Sequence, residues 1–548
     1  MGRRFDPDRA HLIKDGDCMI PTTTHRGVVY AQNGAAASSQ PLAVSAALEI
    51  LRDGGSAIDA GIAASAVLTV IEPGASNLGG DAFLIVHEAK TKINTALNGS
   101  GEAPHNAVAD QFPTGIDNHG YRAATVPGLV STWFAAHEKY GKLPMAKLLA
   151  RAIDYAENGV AINDRFAKAV VGHKALFPAT KVFQTMGISD ALVGGDVVVQ
   201  QDLAWTLKQI AADGRSAFYE GEIAAKIIAG TDGWFSNEDL KNHRTRILDP
   251  LSIKYRNLMV HGQPPPSQGM IFLEGLKLAE GFDLANLSTA ELTHILVEAK
   301  KIGFADRYEV LADPEQVDVE LKAILADSHI AKRRSEINLT QANNNLTKPL
   351  PEGSDTTYFL VADSDGNAVS WIQSVFHSFG SSFAVPGTGM VLNNRLTGFS
   401  LDPSSVNFIS PGKRPAHTLN AWLATNLDGS LKYVGGTPGG NIQVQTNLQL
   451  VINLVDLKMN VQQAAEAPRW QHLTTPGNPN IEEDYFGVLE IESRFDEKTL
   501  AELKALGHDV KLIAAYGHGS AVQLLEVLSS GSYAVGSDPR VDGQAAGY

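Results

Sequence analysis

Sulfur chemistry is nearly absent from this sequence. A single cysteine, Cys18, occurs in 548 residues, so no intramolecular disulfide can form and no cysteine cluster can hold zinc. Nothing around Cys18 resembles the setting of a cysteine nucleophile. Basic charge is also scarce. Lys and Arg number 45 against 60 Asp and Glu, a formal net charge of −15. That balance weighs against nucleic acid and anionic membranes as partners, since both reward basic patches. No apolar run reaches the length of about 18 residues that a membrane-spanning helix needs. The longest candidate, Ala60 to Ile71, is interrupted by serine and threonine. Arg3 and Arg4 precede no apolar segment, so the N-terminal stretch does not read as a secretory signal. The expectation is a soluble, cytoplasmic protein with no metal and no cofactor.

Composition is otherwise that of a globular protein, 44% hydrophobic and 19% charged. A chain this long exceeds what one simple core supports, so two modules or one large layered domain are expected. Gly27–Asn33 reads as a short strand. Pro41–Arg52 and Ala57–Ile71 read as helices, stopped by Gly54-Gly55 and by Glu72-Pro73-Gly74. The small residues of the second suit tight packing on a flat surface. Ala82–His87 and Ile93–Leu97 read as strands. From Gly128 to about Leu325 apolar residues recur mostly at helical spacing, as in Leu129–Tyr140, Asp202–Asp213 and Leu292–Asp306, with a strand pair near Ile247–His261. Leu339–Asp355 is polar, aperiodic and rich in Asn, Thr and Pro, a linker by composition. Beyond it, Thr357–Ala362 and Ala368–Ile372 flank an Asp-Gly turn and read as a hairpin. Gly389–Leu392 and Leu431–Val434 read as strands, Ile442–Asp456 and Lys498–Leu506 as helices.

The motifs of zincins, α/β-hydrolases and P-loop proteins are missing. Two places remain where chemistry can live. Gly435-Gly436-Thr437-Pro438-Gly439-Gly440 is glycine-dense and precedes a helix. It suits a tight strand-to-helix turn, a phosphate cradle, or an oxyanion hole that backbone N–H groups can line closely. Asp355-Thr356-Thr357-Tyr358 sets a threonine at the start of a strand, just after the linker. An isolated threonine there is a β-favouring residue and no more. If the preceding bond breaks, the new α-amino group can serve as base for the Thr356 hydroxyl.

These residues, with others in the same order, give the chain its resemblance to the γ-glutamyltransferase family of N-terminal-nucleophile hydrolases, from about Arg26 to near the C-terminus. Pro41 to Glu72 is similar to the family's opening helices and Gly79-Gly80 to its glycine run. Pro264-Pro265-Pro266-Ser267 resembles its PPPS turn, and Thr356 through Ser370 its catalytic hairpin. Gly412-Lys413-Arg414-Pro415 and Pro438-Gly439-Gly440 fall where the family has them. The resemblance implies a four-layer αββα sandwich without cofactor. It also implies autocleavage between Asp355 and Thr356. Residues 1–355 would form a large subunit and 356–548 a small one, and the two would stay together, a form compatible with a dimer of the cleaved pair. Thr356 would be the nucleophile, Ser374 a second hydroxyl beside it, and Gly439 and Gly440 the oxyanion donors.

Four recognition positions depart from the family. Ser100 stands where an arginine reads the substrate carboxylate, and Gly398 where an aspartate reads its amino group. Phe376 replaces an asparagine, and His417-Thr418 replaces a pair of serines. A γ-glutamyl headgroup would lose both charged partners, and unpaired charge in a pocket is costly. The combination of Asn393-Asn394-Arg395 with His417-Thr418 looks more like the amidohydrolase branch, which includes oxamate amidohydrolase and acylase-like members. Arg395, His377 and His417 are therefore candidates for an anion site, with Phe376, Asn394 and Thr418 lining the pocket. Equally, the histidines suit structural hydrogen bonds and Arg395 an ion pair. The reading is a self-processing hydrolase of a small anionic amide. A γ-glutamyl hydrolase or transferase, and an unprocessed binding homologue, are the alternatives.

Overall fold

A computed structural model describes residues 23–318, 321–343, 355–473 and 487–548. Cys18, and most of the polar stretch before Thr356, lie outside these residues. The core is two seven-stranded sheets packed face to face. The first runs in the order Gln544–Gly547, Ala35–Ser38, Asp355–Ala362, Ala368–Phe376, Asp81–Glu88, Ile93–Asn98 and Arg246–Leu248. The second runs Val29–Ala31, Tyr533–Ser537, Gln523–Val527, Leu431–Gly436, Trp422–Asn426, Leu258–Gly262 and Leu251–Tyr255. Neighbouring strands are antiparallel throughout both sheets.

Alternation along the strands assigns the layers. Tyr358, Leu360, Phe83, Ile85 and Ile372 of the first sheet meet Leu423, Val434, Leu525 and Val535 of the second. Phe359, Val361, Val369 and Trp371 face outward, onto the helices Pro41–Arg52 and Ala57–Ile71. The second helix is buried over its whole length and is held at its start by a capping box between Ser56 and Asp59. Its alanine-rich sequence lets it lie flat on the sheet, as its composition predicts. On the far side Gly269–Ala279 and Ile442–Val455 cover the second sheet. The arrangement is the αββα sandwich expected from the sequence.

Both helices near the N-terminus have the bounds read from the sequence. The pair expected near Ile247–His261 is three strands, and they divide between the two sheets. The strand expected at Gly389–Leu392 shrinks to Met390–Val391, one arm of a small separate hairpin. Among the described residues no helix is long and apolar enough to cross a membrane.

Candidate active site

Thr356 lies at the start of the Asp355–Ala362 strand and is 6% exposed. The ladder with Ala368–Phe376 slips here: Asp355 pairs with Phe376 and Thr357 with Gln373. Ser374 and Val375 thus oppose the single residue Thr356. Such a bulge re-aims side chains, and bulges are common beside active sites. It sets Thr356 Oγ1 3.3 Å from Ser374 Oγ, which also accepts from the Phe376 N–H at 2.8 Å. Both hydroxyls point into the space between the sheets. Thr357 points the other way and donates to Glu72 Oε2 at 2.5 Å, which ties the strand to the helical layer.

The backbone after the bulge is strained. Phe376 has φ +84°, and Phe379 and Ser382 also have positive φ. For a bulky side chain that region costs on the order of 1–3 kcal/mol, and such residues gather at functional sites.

The glycine segment leaves the Leu431–Gly436 strand and enters the Ile442–Val455 helix. Gly439 and Gly440 have φ +125° and +55°, conformations that side chains disfavour. Their carbonyls accept the first helical bonds, from Ile442 and Gln443. No acceptor among the described residues takes either N–H. Gln268 anchors this loop, since its Nε2 donates to Gly440 O at 2.9 Å and to Thr418 O at 2.7 Å. The Pro264–Gln268 turn docks in turn on His417: His417 N–H donates to Pro266 O at 2.7 Å, and Gln268 N–H to His417 O at 2.9 Å.

Asp81 is the residue the sequence reading missed. It is the cross-strand partner of Ser374 and shares its face. Gly80 makes the close approach feasible, because a Cβ there would sit 2.3 Å from Ser374 O. Arg395 donates to both Asp81 oxygens, Nε to Oδ2 at 3.0 Å and Nη2 to Oδ1 at 3.2 Å. His417 Nε2 reaches Oδ2 at 2.8 Å. The Arg395 guanidinium lies 4.5 Å from the centre of the Phe376 ring, and its Nη1 is 3.4 Å from Thr418 Oγ1. Burial alone would lift the Asp81 carboxyl, yet Arg395 and His417 hold it below the usual carboxylate value. Burial, then the charge of Arg395, pushes His417 down to about 4, so the ring is neutral at neutral pH. The Leu419 N–H donates to its Nδ1 at 3.2 Å, which leaves the proton on Nε2, facing Asp81.

The anion site expected from Arg395, His377 and His417 is therefore already filled by Asp81. Arg395 and His417 converge as the sequence suggested, on a carboxylate of the chain itself. His377 turns away: its N–H donates to Asn394 Oδ1 at 3.1 Å, and its Nδ1 lies 2.6 Å from Asn394 Nδ2. Its ring stacks on Phe376. Ser100, at the family's arginine position, bonds to Asn98 Oδ1 at 2.6 Å. A buried aspartate opening the apolar strand DAFLIVHE was the available signal, since such a charge needs a partner.

A second missed residue, Arg307, lies behind the glycine loop. Its Nη1 donates to Asn441 Oδ1 at 2.6 Å and to Gln268 Oε1 at 3.0 Å. Two groups elsewhere have metal-ligand character, His294/Glu298/His508 and Glu274/Asp306/His329, each with ligand atoms within 4.8 Å of one another. Their side chains bond among themselves, His294 Nδ1 to His508 Nε2 at 2.8 Å and His329 Nε2 to Asp306 Oδ2 at 3.0 Å. Neither group includes a residue of the Thr356 site.

Two facing sheets between helical layers, with a threonine opening an inner strand, define a hydrolase fold of the N-terminal-nucleophile class. The chain belongs to the gamma-glutamyltranspeptidase family, whose model matches residues 43–548. It is an enzyme of that family, related to hydrolases and acylases. It is 37% identical over 529 residues to the glutathione hydrolase-like YwrD proenzyme of Bacillus subtilis, covering 92% of this chain and 97% of that protein. It is 34% identical over 543 residues to the oxamate amidohydrolase proenzyme of Klebsiella pneumoniae, covering 94% and 98%. Among solved structures, a cephalosporin acylase from Bacillus halodurans superposes with a TM-score of 0.87 at 34% identity, covering 98% of this chain and 99% of that one.

Proposed function

We propose that the protein cleaves itself between Asp355 and Thr356, and then hydrolyses a small anionic amide through an acyl-enzyme on Thr356. The observation that carries this reading is the Thr356–Ser374 hydroxyl pair on the inward face, at the bulge, in a fold with a glycine loop of unused amides. After cleavage the Thr356 α-amine takes the proton of its own hydroxyl. Oγ1 attacks the amide carbonyl, and the oxyanion forms against the Gly439 and Gly440 N–H groups. The tetrahedral centre collapses, the C–N bond breaks, and the ammonium returns its proton to the departing amine. Water then attacks the ester by the same route. It releases the acid and restores the hydroxyl. Ser374 holds Oγ1 in line for attack.

Anionic substrates are favoured by the charge around Asp81 and the glycine loop. Arg395 and Arg307 bring two positive charges against the one carboxylate of Asp81, and His417 is neutral. The name of the Klebsiella relative, an oxamate amidohydrolase, points the same way. The 1–355 and 356–548 pieces would remain associated, because strands from both contribute to each sheet.

A second reading, hydrolysis of γ-glutamyl amides, is favoured by glutathione hydrolase relatives such as that of Escherichia coli, 32% identical over 557 residues. Ser100 and Gly398 offer a γ-glutamyl headgroup neither of its charges' partners, so turnover of a γ-glutamyl anilide should be negligible beside that of oxamate-like amides. The first test is the intact mass of the purified protein beside Thr356→Ala. Two fragments in the wild type, the smaller beginning at Thr356, with a single chain in the variant, support the reading. One uncut chain in both would end it.

A further inference from the structure

Arg307 sits on the Thr289–Val310 helix and is 4% exposed. The other deeply buried arginines each meet a carboxylate: Arg395 meets Asp81, Arg414 Glu102, Arg469 Asp538 and Arg540 Glu492. Arg307 meets none among the described residues. Its neighbours are two neutral amides, Gln268 and Asn441, and the Phe304 ring, 5.6 Å from its guanidinium carbon. Its Nε is buried without an acceptor. Burial lowers its pKa only to about 10, so it stays charged at neutral pH. A buried cation without a counter-ion has lost its hydration with no opposite charge to offset the loss.

Both of its partners touch the glycine loop. Asn441 follows Gly440 directly, and Gln268 holds the Gly440 carbonyl. We propose that Arg307 is a positioning residue of the acyl-transfer site. Through Gln268 and Asn441 it fixes the two glycine amides toward the reacting carbonyl, and its uncompensated charge lies behind the oxyanion they receive. In a water-poor site a fixed positive charge strengthens as negative charge develops on the substrate, and it needs no reorganisation when the reaction occurs. Compensating it with a carboxylate would stabilise the fold and slow the chemistry. This inference rests on Thr356 as the acyl-forming nucleophile, and adds a residue that reading does not require.

The test is pre-steady-state acylation of the processed enzyme by p-nitrophenyl acetate, a neutral ester, read as the nitrophenolate burst together with the mass of the small fragment. Asn441→Asp keeps an acceptor against Arg307 and supplies the missing charge. It should raise Tm yet slow the burst about tenfold or more, short of the roughly 10²–10³ lost when an oxyanion donor is removed outright, with the dissociation constant of the ester, read from the concentration dependence of the burst rate, unchanged. Arg307→Lys, which keeps the charge and loses the fork, should fall between Asn441→Asp and wild type. Arg307→Met should be slowest, and if it fails to fold the other two variants carry the result. A wild-type burst rate in Asn441→Asp with a raised Tm would make Arg307 purely structural, and overturn the proposal. A change confined to that dissociation constant would make it a substrate-binding residue, with the same consequence. Absence of any acyl adduct on wild-type Thr356 would remove the nucleophile reading itself, and this proposal with it.

Discussion

Arg395 and Arg307 are both buried, and both lower the pKa of His417, yet they are in opposite electrostatic states. Arg395 is closed off: Asp81 takes two of its N–H groups, Phe376 lies against its face, and Thr418 stands at its edge. Arg307 has only neutral acceptors. One arginine therefore builds a neutral wall beside Ser374, and the other leaves a positive charge behind the glycine loop. A guanidinium near a catalytic residue is thus no proof of an anion site. What decides is whether the chain has already supplied the anion.

The largest effect should come from opening the closed pair. Asp81→Asn leaves the Arg395 charge buried and alone, and should cost about 3–5 kcal/mol in denaturant unfolding. Adding Arg395→Met should recover most of it. If the single variant is as stable as wild type, the two arginines do not differ in the way described. A carboxylate placed on Arg307 should shift stability in the opposite direction, as set out above for Asn441→Asp.

Smaller is the effect of Ser374→Ala, which removes the partner of Thr356 Oγ1 and orphans the Phe376 N–H. One hydrogen bond is worth about 1 kcal/mol, so acylation should slow by roughly fivefold with the substrate's dissociation constant preserved. A loss expressed only in that dissociation constant would place Ser374 in substrate binding instead.

The smallest concerns pH. His417 is pushed from 6.5 down to about 4 by burial and by Arg395. The folded ring binds a proton more weakly than the unfolded one. Its contribution to stability is therefore complete above about pH 6.5 and is lost as pH falls toward 4. His417→Asn should flatten that acid limb by up to one proton. An unchanged limb would assign it to other buried histidines, such as His508 and His518, both pushed down to about 3.

Local signals in the sequence were strong where structure is local. The helices Pro41–Arg52 and Ala57–Ile71 carry their own stops and apolar faces, and the hairpin around Asp365-Gly366 carries its own turn. Thr356, Ser374 and the glycine loop could be reached because their order along the chain resembles a family. The charge pattern of the pocket could not. Asp81 and Arg395 are 314 positions apart, and Asp81 and His417 are 336 apart, so their pairing depends on which strands become neighbours. Arg307 was hidden among the charged residues of a long helix. Its lack of a counter-ion appears only once the packed surroundings are known. The same holds for Arg246–Leu248, which joins one sheet while the strands next to it join the other.

Thr356 is the proposed carrier of the acyl group. The direct measurement is the mass of the small fragment, and of its N-terminal peptide, after rapid quenching with a slowly hydrolysed amide. An added acyl mass on the peptide that begins at Thr356, absent from Thr356→Ala, is the expected result. Turnover with no acylated species, or an adduct on another residue, would contradict it.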